Sequence, residues 1–296
     1  MRAAESVPNF SEGRRPEVVS QIRRAAESAG AKVLDVHMDS THNRSVVTMA
    51  ESVDLVLEAA FATAAKAVEL IDLRHHQGAH PRMGAVDVIP FIPIGDTEMG
   101  VCVELAKDLG ARLWDELQLP VFFYGEAAAD QRRRSLAAIR GKGFEELSKR
   151  IQEPQWHPDL GDCQVHPSAG AVAVGARNFL IAFNVNLKAE IGTARAIART
   201  IRTSSGGLPE VQAMAIDLGG GVVQVSMNLL DHRVTSMATV YRLIERLAAQ
   251  QGAEIDCSEL VGMAPTAALA EACRDLLRLD RQPLGQVLEY QLWARG

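Results

Sequence analysis

The order of predicted strands and helices constrains the fold of this chain more than any other feature. Short apolar or alternating runs predict strands, and apolar residues at helical spacing predict helices. In each half of the chain the predicted order is strand, helix, strand, strand, helix, strand, without plain sequence identity between the halves. This order is typical of the ferredoxin-like (βαββαβ) unit. We therefore expect an α+β fold with two ferredoxin-like subdomains side by side and a cleft between them, a common place for ligands.

The predicted division of the chain falls at the end of a long irregular segment. Residues 153–170 contain three prolines and no clear period, although loops of this length are uncommon in compact domains. The 296 residues are enough for two units within the usual range of about 50–250 residues each. We expect an N-terminal subdomain over 1–170 and a C-terminal subdomain over 171–296.

The segment Val86–Ile94 is a nearly continuous apolar run, which predicts a buried strand. It contains Pro90 and Pro93, and proline has no backbone N–H to donate to a neighbouring strand. We therefore expect this strand to lie at an edge or an end of its sheet.

Composition limits the class of partner. The chain is 47% hydrophobic, which is typical of a globular protein. Its net charge of -6 argues against a general nucleic-acid-binding surface. It has no apolar signal region and no apolar run approaching the roughly 20 residues of a membrane helix. Its four cysteines have no short CxxC spacing, which suits reduced thiols. We expect a cytoplasmic protein that binds neither nucleic acid nor membranes.

Residues 72–93 carry more titratable chemistry than a connecting loop needs. Loops on a rigid scaffold are where binding and catalytic residues concentrate. His80 precedes Pro81, and the proline ring holds the residue before it in an extended conformation. We predict that His80, fixed in this way, is the general acid or base of an acyl-type group transfer. The other charged or titratable candidates in this loop are Arg74, His75, His76 and Arg82.

Two other kinds of site are weaker alternatives. The spacing of the potential metal ligands matches neither a helical HExxH motif nor a compact zinc pattern, so we expect no metal. A Ser/His/Asp hydrolase would need a GxSxG motif, which the chain lacks. The Gly219-Gly220-Gly221 run has no Lys-Ser/Thr after it and predicts a hairpin turn. The potential metal ligands are Asp39, His42, His75, His76 and His80.

Polar residues at strand and turn ends are candidates for holding a substrate. Arg44 and Arg82 are near the histidine cluster, and an arginine fork binds a carboxylate with two parallel hydrogen bonds. A surface ion pair is an equal alternative for each arginine. Amide side chains that could hydrogen-bond a polar ligand are those of Asn9, Asn43, Asn184 and Asn186.

Four segments of the sequence resemble the formiminotransferase family. They are VPNFSEG at 7–13, HNRSV at 42–46, GAHPRMGAVDV at 78–88 and GARNFLIAFNVNL at 175–187. The segments are long, ordered and spread over nearly the whole chain, so the resemblance is more specific than a short motif. Larger members fuse this module to a cyclodeaminase, and we expect this chain to be a stand-alone transferase.

The resemblance implies transfer of the formimino group from N-formimino-L-glutamate to N5 of tetrahydrofolate, the co-substrate, in histidine degradation. The family's catalytic histidine falls on His80. We expect a homodimer that acts on these small molecules without a metal. The family's folate-binding segment falls on Gly161, Asp162, Cys163, Gln164, Val165, His166, Pro167, Ser168, Ala169 and Gly170.

Two positions depart from the family pattern. His37 stands where some members carry an acidic residue proposed to assist the site, and Asp39 is a second candidate for that role. Ala169 replaces a bulky aromatic found in some members, which would loosen the pterin pocket. Outside the folate segment, the expected substrate-binding residues are Asn9, His37, Asn43, Arg44 and Arg82.

Two further functions stay open on the sequence alone. A related enzyme acting on 5-formyltetrahydrofolate would use the same pocket with a different donor. A non-enzymatic folate or amino-acid sensor is the other, since tandem ferredoxin-like units often bind small molecules. The dense histidines and arginines of residues 72–93 disfavour the sensor.

Overall fold

A computed structural model describes residues 2–78, 81–141, 143–280 and 286–287. The chain forms two compact units, Met1–Arg177 and Asn178–Gly296. Each unit combines its own β-sheet with helices, so the expected α+β class with two sheets is confirmed. His80, the predicted catalytic residue, lies outside the described residues. No helix in the described part of the chain has the length and apolar character needed to cross a bilayer.

The first unit places its elements in the order strand, helix, strand, strand, helix, strand, and then continues. The helix α1 begins at a proline, whose fixed φ suits the first helical turn. The elements are β1 Ala3–Ser6, β2 Asn9–Phe10, α1 Pro16–Ser28, β3 Lys32–Asp39, β4 Arg44–Ser52, α2 Val53–Leu70, β5 Val86–Ile94, α3 Met99–Leu117, β6 Val121–Gly125, α4 Leu136–Arg140, α5 Phe144–Arg150 and β7 Val172–Ala176.

The sheet of the first unit is antiparallel on one side and parallel on the other. β1 and β2 share one position between β4 and β5 and are antiparallel to both, while β3 pairs with the outer side of β4. Beyond β5 come β7 and then β6, both parallel. Because β7 pairs with β5 and β6, residues 171–177 lie with the first unit.

Each face of this sheet has its own apolar cover. Helices α1, α2 and α3 pack on one face around buried side chains such as Phe10, Met49 and Phe91. On the other face, Ile139 of α4 and Leu147 of α5 pack on the parallel strands. Helices α4 and α5 leave the region around the start of β5 uncovered by apolar side chains, and charged side chains line it.

The strand β5 lies inside the sheet, so the expected edge position was wrong. Phe91 pairs with Ser6 and Val88 pairs with Asn9, which puts Pro90 opposite the interruption between β1 and β2. The ladder is already broken there, so the missing N–H of Pro90 costs no strand pairing. The Pro90 carbonyl accepts a hydrogen bond from the Ser6 hydroxyl at 2.8 Å instead.

The second unit has a four-stranded antiparallel sheet in the order β11, β8, β10, β9. One face packs on α6 and α7. The turn from β9 to β10 uses Gly219, Gly220 and Gly221, all with positive φ, which confirms the predicted hairpin turn. The elements are β8 Ile181–Lys188, α6 Ile191–Ile201, β9 Val211–Gly219, β10 Val222–Leu229, α7 Met237–Gln250, β11 Glu254–Val261 and α8 Thr266–Leu277.

Candidate functional site

The histidine-rich loop and the predicted folate segment lie side by side in the first unit. The backbone N–H of Leu73 donates to the Ser168 carbonyl at 2.8 Å. Gly84 and Gly170 form an antiparallel bridge between the same two segments. The chain before residue 79 and the chain after residue 80 are therefore both tied to 168–170, so the structure brings two independently predicted segments together.

Glycines permit this close approach of two backbones. A Cβ on Gly84 would lie 2.1 Å from the Ala171 carbonyl oxygen, and one on Gly170 would lie 2.3 Å from that of Met83. Both distances are far below van der Waals contact, so any side chain at either position would push the segments apart. Gly170 also has a φ of +74°, a conformation that other residues rarely adopt.

His166 closes the predicted folate segment into a compact turn. Its backbone N–H donates to the Gly170 carbonyl at 2.7 Å, and the Gly170 N–H donates back to the His166 carbonyl at 3.0 Å. Its Nδ1 accepts from the Ala169 N–H at 3.0 Å, and burial lowers the pKa of His166. Both effects favour a neutral ring, because protonating Nδ1 would remove that acceptor.

Exposure divides the predicted folate residues into three groups. Ala169 and Gly170 are buried, and Ala169 packs within the core under α1, α2 and α3. Val165 packs against the cover formed by α4 and α5. The half-buried residues are Gly161, Cys163, Val165, His166 and Ser168, and the exposed ones are Asp162, Gln164 and Pro167.

Asn43 joins three chain segments at the mouth of this region. It is buried in the β3–β4 turn with a φ of 49°, which asparagine tolerates better than most residues. Its side chain accepts from the Gly13 N–H at 2.9 Å and donates to the Gln77 carbonyl at 3.0 Å. The Nε2 of His76 contacts the Asn43 carbonyl oxygen at 3.0 Å. Asn43 therefore positions the histidine-rich loop.

Arg82 is occupied by a protein carboxylate. Its Nη1 and Nη2 donate to the two carboxylate oxygens of Glu145 in α5, at 3.2 and 2.8 Å. Nη2 also donates to the His76 carbonyl oxygen at 3.2 Å. The side chain is only 12% exposed. This fork fixes the loop against α5 and leaves Arg82 poorly suited to receive a second carboxylate.

A buried ion pair lies under the start of β5. Asp87 is 1% exposed, and its Oδ1 accepts from the Met83 backbone N–H at 2.7 Å. Its Oδ2 accepts from Nη2 of Arg140, the last residue of α4, at 2.5 Å. Neither residue was among the sequence candidates. The sequence signals for Asp87 were an acidic residue inside an apolar run and its place in the segment at 78–88, and nothing in the sequence linked it to Arg140.

Arg44 stands at the same end of the sheet as this pair. Its neighbour Ser45 pairs with Phe10 of β2, and Phe10 pairs with Val86 of β5. Burial lowers the pKa of Arg44, the positive charge of Arg140 lowers it further, and the charges of Asp87 and Asp39 oppose this. Its Nε is buried and has no hydrogen-bond partner in the part of the chain that the structure describes.

His37 and Asp39 occupy different environments. His37 is an exposed residue of β3 that pairs with Val46 of β4. Asp39 serves the β3–β4 turn, since Oδ1 accepts from the backbone N–H groups of Thr41 and His42, and Oδ2 lies 2.6 Å from the His42 ring. The hydrogen bond from the His42 backbone is the main cause that lowers the pKa of Asp39. Asp39 is therefore committed to its turn.

The remaining candidates have local roles or none that the contacts define. Asn9 donates its side-chain amide to the Val7 carbonyl at 3.0 Å. His75 is 83% exposed and lies 4.0 Å from Asp72. Over the described ranges, no group of three or more His, Cys, Asp or Glu side chains is arranged to hold a metal ion.

The second unit carries a network of amide side chains and one carboxylate, that of Glu259, on the sheet face opposite its helices. Asn184 donates to Glu259 at 3.0 Å and accepts from the Met227 backbone N–H at 3.3 Å. Gln224 donates to the Asn186 side-chain oxygen at 3.0 Å. Both asparagines predicted from the sequence as possible ligands thus have partners within their own sheet.

The sequence is similar to two adjoining family models. The model described as "Formiminotransferase domain, N-terminal subdomain" matches residues 3–177, and the one described as "Formiminotransferase domain" matches residues 182–285. The first match ends at the residue where the first structural unit ends.

Individual relatives are similar over most of the chain. A protein of Thermoplasma acidophilum named "Glutamate formimidoyltransferase" is 46% identical, with 99% of this chain and 98% of that protein covered. A Streptococcus pyogenes serotype M1 protein of the same name is 39% identical, with 94% of each covered. A Rattus norvegicus "Formimidoyltransferase-cyclodeaminase" is 42% identical over 90% of this chain, which spans 51% of that protein.

Proposed function

Because the chain belongs to the formiminotransferase family, we propose that it is a glutamate formimidoyltransferase. The reaction moves the formimino group from N-formimino-L-glutamate to N5 of tetrahydrofolate, giving 5-formiminotetrahydrofolate and L-glutamate in histidine degradation. In the structure, the proposal is supported by the contact of the histidine-rich loop with residues 168–170, which is made at Leu73 and Gly84. A catalytic loop that is hydrogen-bonded to a folate-binding segment can place the catalytic residue and the folate-binding residues beside the same two substrates.

In this proposal His80 moves the proton. N5 of tetrahydrofolate attacks the formimino carbon, a new carbon–nitrogen bond forms, and the bond from that carbon to the glutamate nitrogen breaks. His80 takes the proton that leaves N5 and gives it to the departing nitrogen, so the step balances. General acid–base catalysis of this kind contributes about 10²–10⁴-fold. Holding the two substrates together contributes further, because the reaction becomes effectively intramolecular.

The supporting residues divide by their contacts. Asn43 and Arg82 hold the histidine-rich loop, through Gln77 and Glu145 respectively. Arg44 is available to a substrate carboxylate. The exposed His37 and the half-buried Asn9 lie in one row across β3, β4 and β2, through Val46, and are proposed to face the substrates. Residues 161–170 are proposed to bind the folate.

We further propose that both units are ferredoxin-like subdomains. Strand order supports this: β3, β4, β1/β2, β5 in the first unit and β9, β10, β8, β11 in the second follow one pattern, with antiparallel neighbours. The enzyme is proposed to act as a homodimer without a metal. A cytoplasmic location is proposed because all four cysteines are free.

The direct test is incubation with N-formimino-L-glutamate and tetrahydrofolate, following 5-formiminotetrahydrofolate by liquid chromatography. A parallel reaction with 5-formyltetrahydrofolate distinguishes the related folate enzyme. We expect transfer only from the formimino donor. Folate binding without any transfer would contradict the proposal and favour a sensor.

The role of His80 is tested by His80→Ala. We expect turnover to fall by at least about 10²-fold while tetrahydrofolate binding is kept. His75→Ala is the matched control, because His75 is in the same loop and is 83% exposed. Near-normal turnover of the His80 variant would remove it from the mechanism.

A further inference from the structure

Arg44, in the first unit, is a half-buried guanidinium group without a counter-ion among the described residues. Arg44 has no ion pair or hydrogen bond from its side chain within residues 2–78, 81–141 and 143–280. The two acidic groups whose charges act on it are engaged elsewhere, since Asp39 holds the β3–β4 turn and Asp87 binds Arg140. Burying a charge is costly unless it is paired. Folding alone therefore does not account for Arg44.

The neighbouring arginine is held firmly in place. Arg140 is 15% exposed, and its Nη2 donates to Asp87 at 2.5 Å. Asp87 is itself fixed by the Met83 N–H. A guanidinium has five donor hydrogens, and this single bond to Asp87 uses one of them. Arg140 can therefore keep its bond to Asp87 and still donate to a ligand.

Arg44 and Arg140 bring two guanidinium groups to the same end of the sheet, beside Asp87. The charge of Arg140 lowers the pKa of Arg44, and the charges of Asp87 and Asp39, each bonded elsewhere, oppose this. Two like charges on neighbouring, partly buried groups repel each other more than in open solvent, because water screens them less. An anion bound between them would relieve the repulsion and pair both guanidinium groups.

We propose that Arg44 and Arg140 together bind a carboxylate of one of the two substrates, with Asp87 positioning Arg140. The inference rests on the proposed transferase function. Two substrate groups have this chemistry, the carboxylates of the amino-acid donor and those of the glutamyl tail of tetrahydrofolate. Arg82, the other arginine candidate, is excluded from this role because Glu145 already occupies its fork.

The first test is Arg44→Gln. We expect the KM to rise about 10- to 100-fold for the substrate whose carboxylate the two arginines bind, with little change in kcat. A rise of this size corresponds to the loss of one charge-assisted hydrogen bond. The melting temperature should stay the same or rise, because the repulsion with Arg140 is removed. A structural role would instead lower the melting temperature and leave both KM values unchanged, and that result would overturn the proposal.

The second test is Arg140→Lys, which keeps a positive charge beside Asp87 but loses the planar fork. We expect a smaller rise, about 5- to 10-fold, in the same KM. The matched control is Arg132→Gln, since Arg132 is also paired with an aspartate but is 70% exposed. An equal effect of the control, or a rise in KM from Arg82→Gln alone, would overturn the assignment.

The source of the carboxylate is read from binding. If Arg44→Gln weakens tetrahydrofolate but not tetrahydropteroate, which lacks the glutamyl tail, the site holds that tail. If only the KM for N-formimino-L-glutamate rises, it holds the donor. Should the wild-type protein transfer no formimino group, calorimetry with L-glutamate and tetrahydrofolate on wild type and Arg44→Gln still tests the site. Equal affinities of both proteins for both ligands would overturn it.

Discussion

The two units use the sheet face that lies away from their main helices in different ways. In the second unit that face carries amides, and Asn184 and Gln224 find their partners on neighbouring strands. In the first unit the corresponding region carries ionised groups, and Arg44 has no partner there among the described residues. The polar groups on the face of the second unit bond to one another, whereas Arg44 in the first unit lacks a partner among the described residues, and this is why we propose that an anion binds there.

The difference shows what distinguishes a structural polar network from a binding site. Neutral amides both donate and accept, so a row of them can satisfy itself across a sheet. Guanidinium groups only donate, and a surplus of them needs an external acceptor. Polarity of a sheet face is therefore a weak indicator of a site, while an unbalanced buried charge is a stronger one.

The largest effect expected from breaking this contrast is that of Asp87→Ala. It would leave Arg140 and Arg44 as neighbouring half-buried cations and the Met83 N–H without its acceptor. Removing one partner of a buried ion pair costs about 3–5 kcal/mol, which urea unfolding would measure. Asp130→Ala is the control, because it breaks an aspartate–arginine pair at the surface, where an ion pair contributes little to stability.

A double variant sharpens that prediction. Adding Arg44→Gln to Asp87→Ala removes one of the two cations, so it should restore part of the lost free energy of unfolding. If the free energy of unfolding lost in the double variant equals the sum of the losses in the two single variants, Arg44 and Asp87 are not coupled. That result would contradict the charge argument.

Stability is expected to be nearly as sensitive to a substitution at Gly84, where the histidine-rich loop meets the segment that follows residue 168. In Gly84→Ala the new Cβ would meet the Ala171 carbonyl oxygen at 2.1 Å, so the backbones must separate. We expect a loss of about 3 kcal/mol in the free energy of unfolding, together with weaker folate binding. Gly100→Ala in α3 is the control, since no atom lies within 4 Å of its added Cβ. Equal stability of both variants would show that the junction tolerates separation.

The sequence predicted local structure better than pairing. The bounds of Val86–Ile94 follow from its continuous apolar run, and they agree with the structure. Its internal position does not follow, because the interruption between β1 and β2 that accommodates Pro90 depends on how distant strands align. Proline limits hydrogen bonding on one side at one residue, and it does not by itself place a whole strand at an edge.

The site shows the same division between local and distant information. Residue types identified Arg44 and Arg82 as candidates, but their different situations depend on residues far along the chain. Arg82 is bound by Glu145 and Arg140 by Asp87, across 63 and 53 positions respectively. One sequence gives no means of pairing them. Residues 161–170 were predicted to bind folate from the unusual length of their loop and from the family resemblance, and the hydrogen bond of this segment to Leu73 could be seen only in the fold.

Ionisable groups on the first sheet also predict a dependence of stability on pH. Burial raises the pKa of Glu5 to about 7 from its ordinary 4.5, with the charge of Arg177 opposing the shift. A raised acid pKa means that the folded state binds the proton more tightly, so stability falls as pH rises from about 4.5 to 7. Glu5→Gln should gain about 2 kcal/mol relative to wild type between pH 5 and pH 8, measured by urea unfolding. An unchanged difference across that range would contradict a buried proton at Glu5.

The smallest effect is expected in the second unit, from Asn184→Ala. The substitution removes a hydrogen bond to Glu259 and the acceptor of the Met227 N–H, which should cost about 1 kcal/mol. Both KM values should stay unchanged, because the one charged member of this network, Glu259, is negative and offers nothing to a carboxylate. Asn228→Ala on the same face of β10 controls for the general loss of an amide. A tenfold rise in either KM, specific to Asn184→Ala and without a loss of stability, would make the second face a binding surface too. The contrast between the two units would then lie in the kind of ligand group that each receives, since an amide network suits an uncharged polar ring where paired arginines suit a carboxylate.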